Sequence, residues 1–399
     1  MMRIGMMADL YWPHVSGVTN FIALNKRFLE QAGHEVYVFT FGDADTVDDE
    51  PNVIRAPGIP LAETGAYLSF RYPRRIRRLL QSMDLVHAHH PFLSARLAVR
   101  YCRPYNIPVA FTNHTRYDLY AQAYLPALPD QIGIAFLQAY MPWLCREVDL
   151  VIAPSAGLQR VLVGFGVLSP IAVLPNGVDL APFRQPCIPV TPDTLGLLPG
   201  GVTLIYVGRL GPEKNLTFLV RAFAGVASAY PEARLVLVGE GPERDNLEDQ
   251  VSRSGLQGRV ALAGFTNYDE LPRYLAMADA FVTASVTEVH PLSVIEAMAS
   301  GLPVLGIVSP GIEDTVEDGV TGYLSPEDLP SFTAKMARLV SEQARRTEMS
   351  QHARQAAEEF AIERTSARLL QYYDKLVLER PRRERRPRLL WQRVVDRWT

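Results

Sequence analysis

Residues 287–304, TEVHPLSVIEAMASGLPV, set Glu288 and Glu296 eight positions apart in a run of small and apolar residues that follows the stretch AFVTAS. Pro291 falls between the two carboxylates, and proline is tolerated near a helix N-terminus but clashes inside a helix. Glu288 is therefore expected in a loop at the carboxyl end of a strand, and Glu296 within the following helix. The first backbone N–H groups of that helix, those of Leu292 and Ser293, have no intrahelical partner. The arrangement suits a sugar nucleotide: phosphates on the helix N-terminus, one carboxylate on ribose hydroxyls and the other beside the sugar ring.

A second constellation, VGRLGPEKN at 207–215, follows an apolar run and precedes a helical one. Gly208 and Gly211 permit a sharp turn, and Arg209 and Lys214 bring two cations to a helix N-terminus that already favours anions. Alone, this is more often a charged loop without a ligand; beside the two carboxylates it reads as a diphosphate clamp. Near the amino end, YWPHVSGVTN at 11–20 enters a helix with Gly17 and Val18 at the turn, where the backbone can approach a phosphate or sugar closely. The chain has no GxGxxG, so a nicotinamide or flavin reading has no foothold. Four of eight histidines fall in VHAHHPF and FTNHT. No cysteine or well-spaced carboxylate completes a metal site around His87, His89 and His90. His114 follows the strand-like VAFT, where a cleft residue belongs, and His87 sits within a strand's own alternation as a core histidine would.

These residues must be held by something, and the chain alternates short apolar runs with helical segments, the pattern of parallel sheets covered by helices. Strands are predicted at 3–8, 35–41, 85–88, 109–112, 150–153 and 172–174, then at 203–207, 234–238, 260–263, 280–284 and 304–306. Helices are predicted at 18–31, ending at Gly33, and at 216–229, 243–254, 269–277, 292–300 and 329–360. The Pro- and Gly-rich passage 187–201 is the linker. The expected fold is α/β: two Rossmann-like doubly wound domains, 1–190 and 200–360, facing across a cleft lined by loops at the carboxyl ends of their strands.

The chain has 399 residues, 48% hydrophobic and 21% charged, enough to bury two cores. No run reaches the length of a membrane-spanning helix and the first residues do not resemble a secretory signal, so a cytoplasmic location is expected. Three unevenly spaced cysteines suggest neither a disulfide framework nor structural zinc. Net charge is −3, but residues 380–399 carry eight arginines against two acids, a local +6.

E-x7-E followed by AMASGLPV, preceded by GRLGPEKN and VGEGP, together with PNGVD at 175–179, DELPRYLAMADAFVTAS from 269 and GVTGYL at 319–324, resembles the retaining GT-B glycosyltransferases of the GT4 group over nearly the whole chain. The resemblance implies that Arg209 and Lys214 hold the donor diphosphate without a metal, and that no cofactor is needed beyond the nucleotide-sugar substrate. It implies that Glu296 binds the ribose, that Glu288 contacts sugar hydroxyls or supports charge near the anomeric carbon, and that the Leu292 and Ser293 amides meet phosphate. Phe265 and Thr266 would line the base pocket, Gly17 and Val18 would approach donor phosphate or acceptor, and His114 would bond the transferred sugar. His290 and Pro291 depart from the group's usual residues at that point and bear on donor choice. A helix over 362–378 would cross back onto the first domain.

HHPF and FTNHTRYDLYAQAYLP are similar to bacterial transferases that glucosylate diacylglycerol or related lipids, with Tyr117, Tyr120 and Tyr124 along an amphiphile's path or in ordinary packing. The expected activity is transfer of a hexose, UDP-glucose being the expected donor, to a membrane lipid; a soluble or polysaccharide acceptor is the alternative, followed by a sugar-nucleotide isomerase or a silent sugar-binding scaffold. Two segments offer a route to an anionic membrane surface on the inner face. FRYPRRIRRLLQSM at 70–83 places Arg74, Arg75, Arg77 and Arg78 beside Ile76, Leu79 and Leu80. The basic tail groups Leu390, Trp391, Val394, Val395 and Trp398 on one helical face, a stripe that nucleic-acid binding does not call for; a domain-packing helix or a disordered terminus is the alternative.

Overall fold

The computed structural model describes residues 1–14, 16–43, 50–60, 67–119 and 130–379. The expectations for Tyr120, Tyr124 and the tail, with Trp391 and Trp398, lie outside the described residues.

The first sheet holds β1 (Arg3–Met7), β2 (Glu35–Phe41), β3 (Val53–Ala56), β4 (Leu85–Ala88), β5 (Val109–Thr112), β6 (Leu150–Ala153) and β7 (Ile171–Val173). The order is β3-β2-β1-β4-β5-β6-β7, all parallel. The second holds β8 (Thr203–Val207), β9 (Arg234–Val238), β10 (Val260–Gly264), β11 (Ala280–Thr283), β12 (Val304–Ile307) and β13 (Gly322–Ser325), in the parallel order β10-β9-β8-β11-β12-β13. Two doubly wound sheets of this kind define the GT-B architecture. Within these two sheets two strands went unpredicted, β3 and β13, as did a two-residue antiparallel pair, Ile59–Pro60 with Tyr67–Leu68. The two in the sheets are short edge strands, VIRA and GYLS, whose sequences lack an apolar run.

In the first domain α1 is Gly17–Gln31, α2 Arg74–Leu80, α3 Ser94–Cys102, α4 Asp130–Glu147 and α5 Ala156–Gly164. Ser16 caps α1 in a box with Thr19, and the helix closes before Gly33, whose φ of +86° few other residues adopt. Helices α2 to α5 cover one face of the sheet, burying Leu80, Tyr101, Leu137 and Leu158 with Val86 and Phe111. The apolar side of α2 is thereby spent: Leu80 is buried, and Ile76 and Leu79 pack against the same core. The expectation of a bilayer-facing apolar side on this helix is corrected accordingly. Arg77 also turns inward, its guanidinium 5.7 Å from the Tyr101 ring centroid, whereas Arg74, Arg75 and Arg78 are exposed.

A short helix α6 (Ala181–Arg184) opens the linker. The second domain carries α7 (Leu216–Ala229), α8 (Arg244–Arg253), α9 (Leu271–Ala276), α10 (Leu292–Ala299), α11 (Leu329–Ser341) and α12 (Gln343–Ala357). The single helix predicted over 329–360 is broken at Glu342, which has φ −96° and ψ 74°. The reason is packing on two sides of one sheet. Phe332 and Met336 of α11 lie in the core with Phe223, whereas Ala353 and Ala357 of α12 lie in the opposite core with Ile295. Arg346 seals the break by donating to the Leu339 and Val340 carbonyls at 2.7 and 3.0 Å.

Helix α13 (Ile362–Glu379) leaves the second domain and packs Leu369, Tyr373 and Leu376 with Phe21 and Ile22 of α1 on the other face of the first sheet. Where it starts, the chain pairs with PNGVD: Val178 N–H donates to the Phe360 carbonyl and Ile362 N–H to the Val178 carbonyl, each at 2.9 Å. A Cβ on Gly177 would stand 2.1 Å from Thr365 Oγ1, so the two chain crossings touch through a glycine.

Candidate active site

The loop after β8 turns through Arg209 and a short 3₁₀ turn at Pro212–Lys214 into α7, with Asn215 left-handed at φ 54°. It is braced by VGEGP: Leu210 N–H donates to the Glu240 carbonyl at 2.9 Å, and a Cβ on Gly241 would lie 2.3 Å from the Leu210 carbonyl oxygen. Two loop backbones therefore meet where a side chain would part them. Lys214 Nζ reaches Glu288 Oε1 at 2.7 Å, and both side chains are 16% exposed. The Ser285 and Thr287 hydroxyls donate to the Glu213 carbonyl, binding the loop after β11 to the same turn.

Helix α10 starts at Leu292 with Pro291 at its cap, a residue without a side-chain acceptor for the first amides. Leu292 and Ser293 are half-buried, and Glu296 is buried one turn on. The Tyr268 hydroxyl donates to Glu296 Oε1 at 3.0 Å. Burial pushes the Glu296 carboxyl up to about 7, against the Tyr268 hydrogen bond, which lowers it. Tyr268 in turn meets the Phe183 ring edge-on at 5.8 Å. Phe265 stands 64% exposed past the end of β10, with Thr266 half-buried beside it.

From the first domain come Gly17, Val18 and His114. A Cβ on Gly17 would meet nothing within 4 Å, so packing does not demand glycine there and the helix start borders open space. His14, in the same loop, titrates below its ordinary value because of burial and the positive charge of Arg209 across the cleft. His114 Nε2 lies 3.1 Å from His89 Nδ1, and its ring sits 4.9 Å from Phe21 of α1. Burial holds both imidazoles well below their ordinary values, so they are neutral at pH 7. His87 is sandwiched between the Tyr373 hydroxyl at 2.6 Å and Thr112 Oγ1 at 2.7 Å, and burial pushes it down to about 3. Its part is to tie α13 to the sheet beneath His114. Among the described residues no cluster of three or more His, Cys, Asp or Glu side chains is placed to hold a metal.

The structure thus brings Lys214 to Glu288, and gathers Arg209, His14 and the Gly17 turn across one cleft. Glu296 has the Tyr268 hydroxyl as its partner. Tyr268 escaped the sequence reading although it lies two positions beyond Thr266 at a strand's carboxyl end. His290 is buried at the junction between domains. Its ring packs edge-on against Phe360 at 5.0 Å, its carbonyl accepts from Asn176 Nδ2 at 3.0 Å, and burial pushes its imidazole down to about 3.

The sheets and this cleft are those of a two-domain glycosyltransferase that uses a nucleotide sugar. The family model described as Glycosyltransferase Family 4 matches residues 15–182, and that described as Glycosyl transferases group 1 matches 193–356. The chain is 32% identical over 337 residues to an alpha-monoglucosyldiacylglycerol synthase of Streptococcus pneumoniae, covering 81% of this chain and 75% of that protein. It is 30% identical over 367 residues to a glycogen synthase of Mycobacterium tuberculosis, covering 90% of this chain and 82% of that protein. In fold it is similar to Anabaena HepE, solved in complex with UDP-glucose, with a TM-score of 0.74 and 19% identity over 94% of this chain and all of that one. The chain belongs to the GT4 family of retaining glycosyltransferases.

Proposed function

We propose that the protein moves glucose from UDP-glucose to a membrane lipid such as a diacylglycerol, with retention at the anomeric carbon and without a metal. The Lys214–Glu288 pair carries this reading, because it sets a cation for the donor phosphates next to a carboxylate for the sugar. Arg209 and Lys214 hold the diphosphate, with the Leu292 and Ser293 amides and the turn at Gly17 and Val18 on its oxygens. Glu296 takes the ribose hydroxyls, and Phe265 with Thr266 borders the base. His114, neutral and held by His89, bonds the transferred sugar.

In the transfer step the bond between the anomeric carbon and the diphosphate oxygen breaks as the acceptor oxygen approaches on the same face. The acceptor proton passes to the departing oxygen, whose charge the two cations offset. Glu288 supports the positive charge that gathers near the anomeric carbon.

Relatives of similar identity bear names with different acceptors, so the acceptor side must be read from this chain. Phe92 of HHPF and Tyr117, three positions past His114, meet edge-on at 5.1 Å and make that side aromatic, which supports an amphiphile. Among the described residues no helix is long and apolar enough to cross a membrane. The access to the lipid that we propose is peripheral, from the cytoplasmic face. A polysaccharide acceptor is the second reading, favoured by the likeness to the glycogen synthase. Incubation with UDP-glucose and either diacylglycerol liposomes or glycogen separates them: lipid-linked glucose is expected, and turnover on glycogen alone refutes the lipid assignment.

A further inference from the structure

We infer that the outer face formed by α2, α3 and α4 docks on an anionic bilayer, with the stripe Ile132, Phe136 and Trp143 of α4 seated among the lipids. This rests on the reading of a lipid acceptor. The three side chains are 57%, 53% and 44% exposed. At roughly 100° per residue they fall within an arc of about 40°, turned away from Leu137, Met141 and Leu144, which face the core. A contiguous apolar stripe of this kind on a folded domain marks a surface that meets another body.

Charge indicates what that body is. Helix α2 exposes Arg74, Arg75 and Arg78, and its neighbour α3 exposes Arg96 and Arg100. From Arg71 to Arg103 the sequence has one acid, Asp84, whose carboxylate accepts from the Arg3 amide at 2.8 Å. No acid lies between Gln131 and Arg146 of α4, and Glu147 beyond them is paired with Arg103. A cationic field beside an aromatic stripe is the complement of anionic headgroups over acyl chains. Because α2 spends its own apolar side on the core, the inserting residues have to come from α4.

The stripe also leads inward. Trp143 and Tyr140 have ring centroids 5.6 Å apart, Tyr140 and Phe136 stack at 5.5 Å, and Phe92 lies 5.6 Å from Tyr140 and 5.1 Å from Tyr117. The Tyr140 hydroxyl is tied to the Pro91 carbonyl at 2.6 Å, so the seam is held in place. One aromatic path thus joins the proposed membrane face to the loop of His114.

The test is flotation of the full chain with phosphatidylcholine vesicles containing or lacking phosphatidylglycerol. Ile132→Ser, Phe136→Ser and Trp143→Ser combined should lower the fraction bound to the anionic vesicles about tenfold or more. Arg74→Gln, Arg75→Gln and Arg78→Gln combined should remove the preference for phosphatidylglycerol and its sensitivity to salt. An unchanged thermal shift by UDP shows that the apolar variant remains folded. A wild-type chain that does not float, or an apolar variant that floats as well, overturns the docking surface. So does a wild-type dimer in the absence of lipid that the variant converts to monomer, since the stripe then belongs to a second copy. If the variant fails to float while no lipid is ever glucosylated, the docking surface stands and the acceptor assignment falls. If the variant glucosylates vesicle lipid at the wild-type rate, the reverse holds.

Discussion

Lys214 Nζ lies 2.7 Å from Glu288 Oε1, joining the loop after β8 to the loop after β11. Both groups are largely withdrawn from water, so removing one leaves the other poorly solvated. Lys214→Ala and Glu288→Gln are each expected to lower kcat/KM by about a hundredfold or more, since each removes charge aligned with the transition state. The double variant should be little worse than either single one, because the groups act as a unit. Steady-state transfer with melting curves checks this; a wild-type rate in either single variant defeats the assignment.

Glu296 gives a pH dependence whose sign is fixed by burial. Its folded-state value stands near 7 against an ordinary 4.5, so between those values the folded protein binds a proton that the unfolded chain has released. This contribution to stability is therefore fully present below about 4.5 and is lost as pH rises to about 7, on the order of 3 kcal/mol in all. Glu296→Gln should flatten that stretch of the melting profile and melt higher than wild type at pH 8. Donor affinity should move oppositely in the wild type, weakening below pH 7 as the carboxylate proposed for the ribose is protonated. Melting temperatures and UDP titrations across pH 5–8 measure both trends, and a Glu296→Gln profile parallel to wild type refutes the first.

What was legible in the sequence follows the range of the interactions. Strand, turn and helix start are written in consecutive residues, so the neighbourhoods of Arg209, Lys214, Glu288 and Glu296 could be read from spacing. That Lys214 meets Glu288 across 74 positions was not predicted, because nothing in either segment names the other. Partners set by the meeting of distant segments left no local trace. His87 is held by Tyr373, 286 positions away, and Asn25 by Ser366. Helix α2 shows the converse, because an amphipathic pattern says that one side is buried but not whether protein or lipid buries it.

His114 should separate sugar contact from phosphate contact. His114→Ala is expected to slow transfer by about a hundredfold while leaving UDP affinity unchanged, because the contact proposed for the ring is with the hexose and not with the nucleotide. His89→Ala removes the partner 3.1 Å away and should produce a milder loss of the same kind. Calorimetric titration with UDP beside turnover checks the pair; a large loss of UDP affinity in His114→Ala would move this residue to the phosphates.

Helix α5 of the first domain meets the loop after β12 of the second, a contact expected to set the width of the cleft. Gly157 N–H donates to Asp314 Oδ2 at 2.6 Å, Arg160 pairs with Glu313 at 2.5 Å, and a cavity of about 380 Å³ opens beside them, lined by Val161, Val308 and Pro310. Val289, next to Glu288, is buried in the core of the first domain. A Cβ on Gly157 would stand 2.4 Å from the Pro310 carbonyl oxygen and 2.5 Å from its Cα, both backbone-fixed atoms that cannot swing aside. Gly157→Ala should therefore leave each domain folded but hold the two apart, widening the cleft between Arg209 and His14. The expected signature is a larger radius of gyration in solution scattering with a raised KM for donor. Asp314→Asn, which weakens the contact without adding bulk, should show a smaller change in the same direction. Gly164, at the other end of α5, has open space around it, so Gly164→Ala supplies the control: up to about 1 kcal/mol of added stability and unaltered scattering. Scattering from Gly157→Ala that matches wild type would show that the loop after β12 yields instead, and that the width of the cleft is set elsewhere.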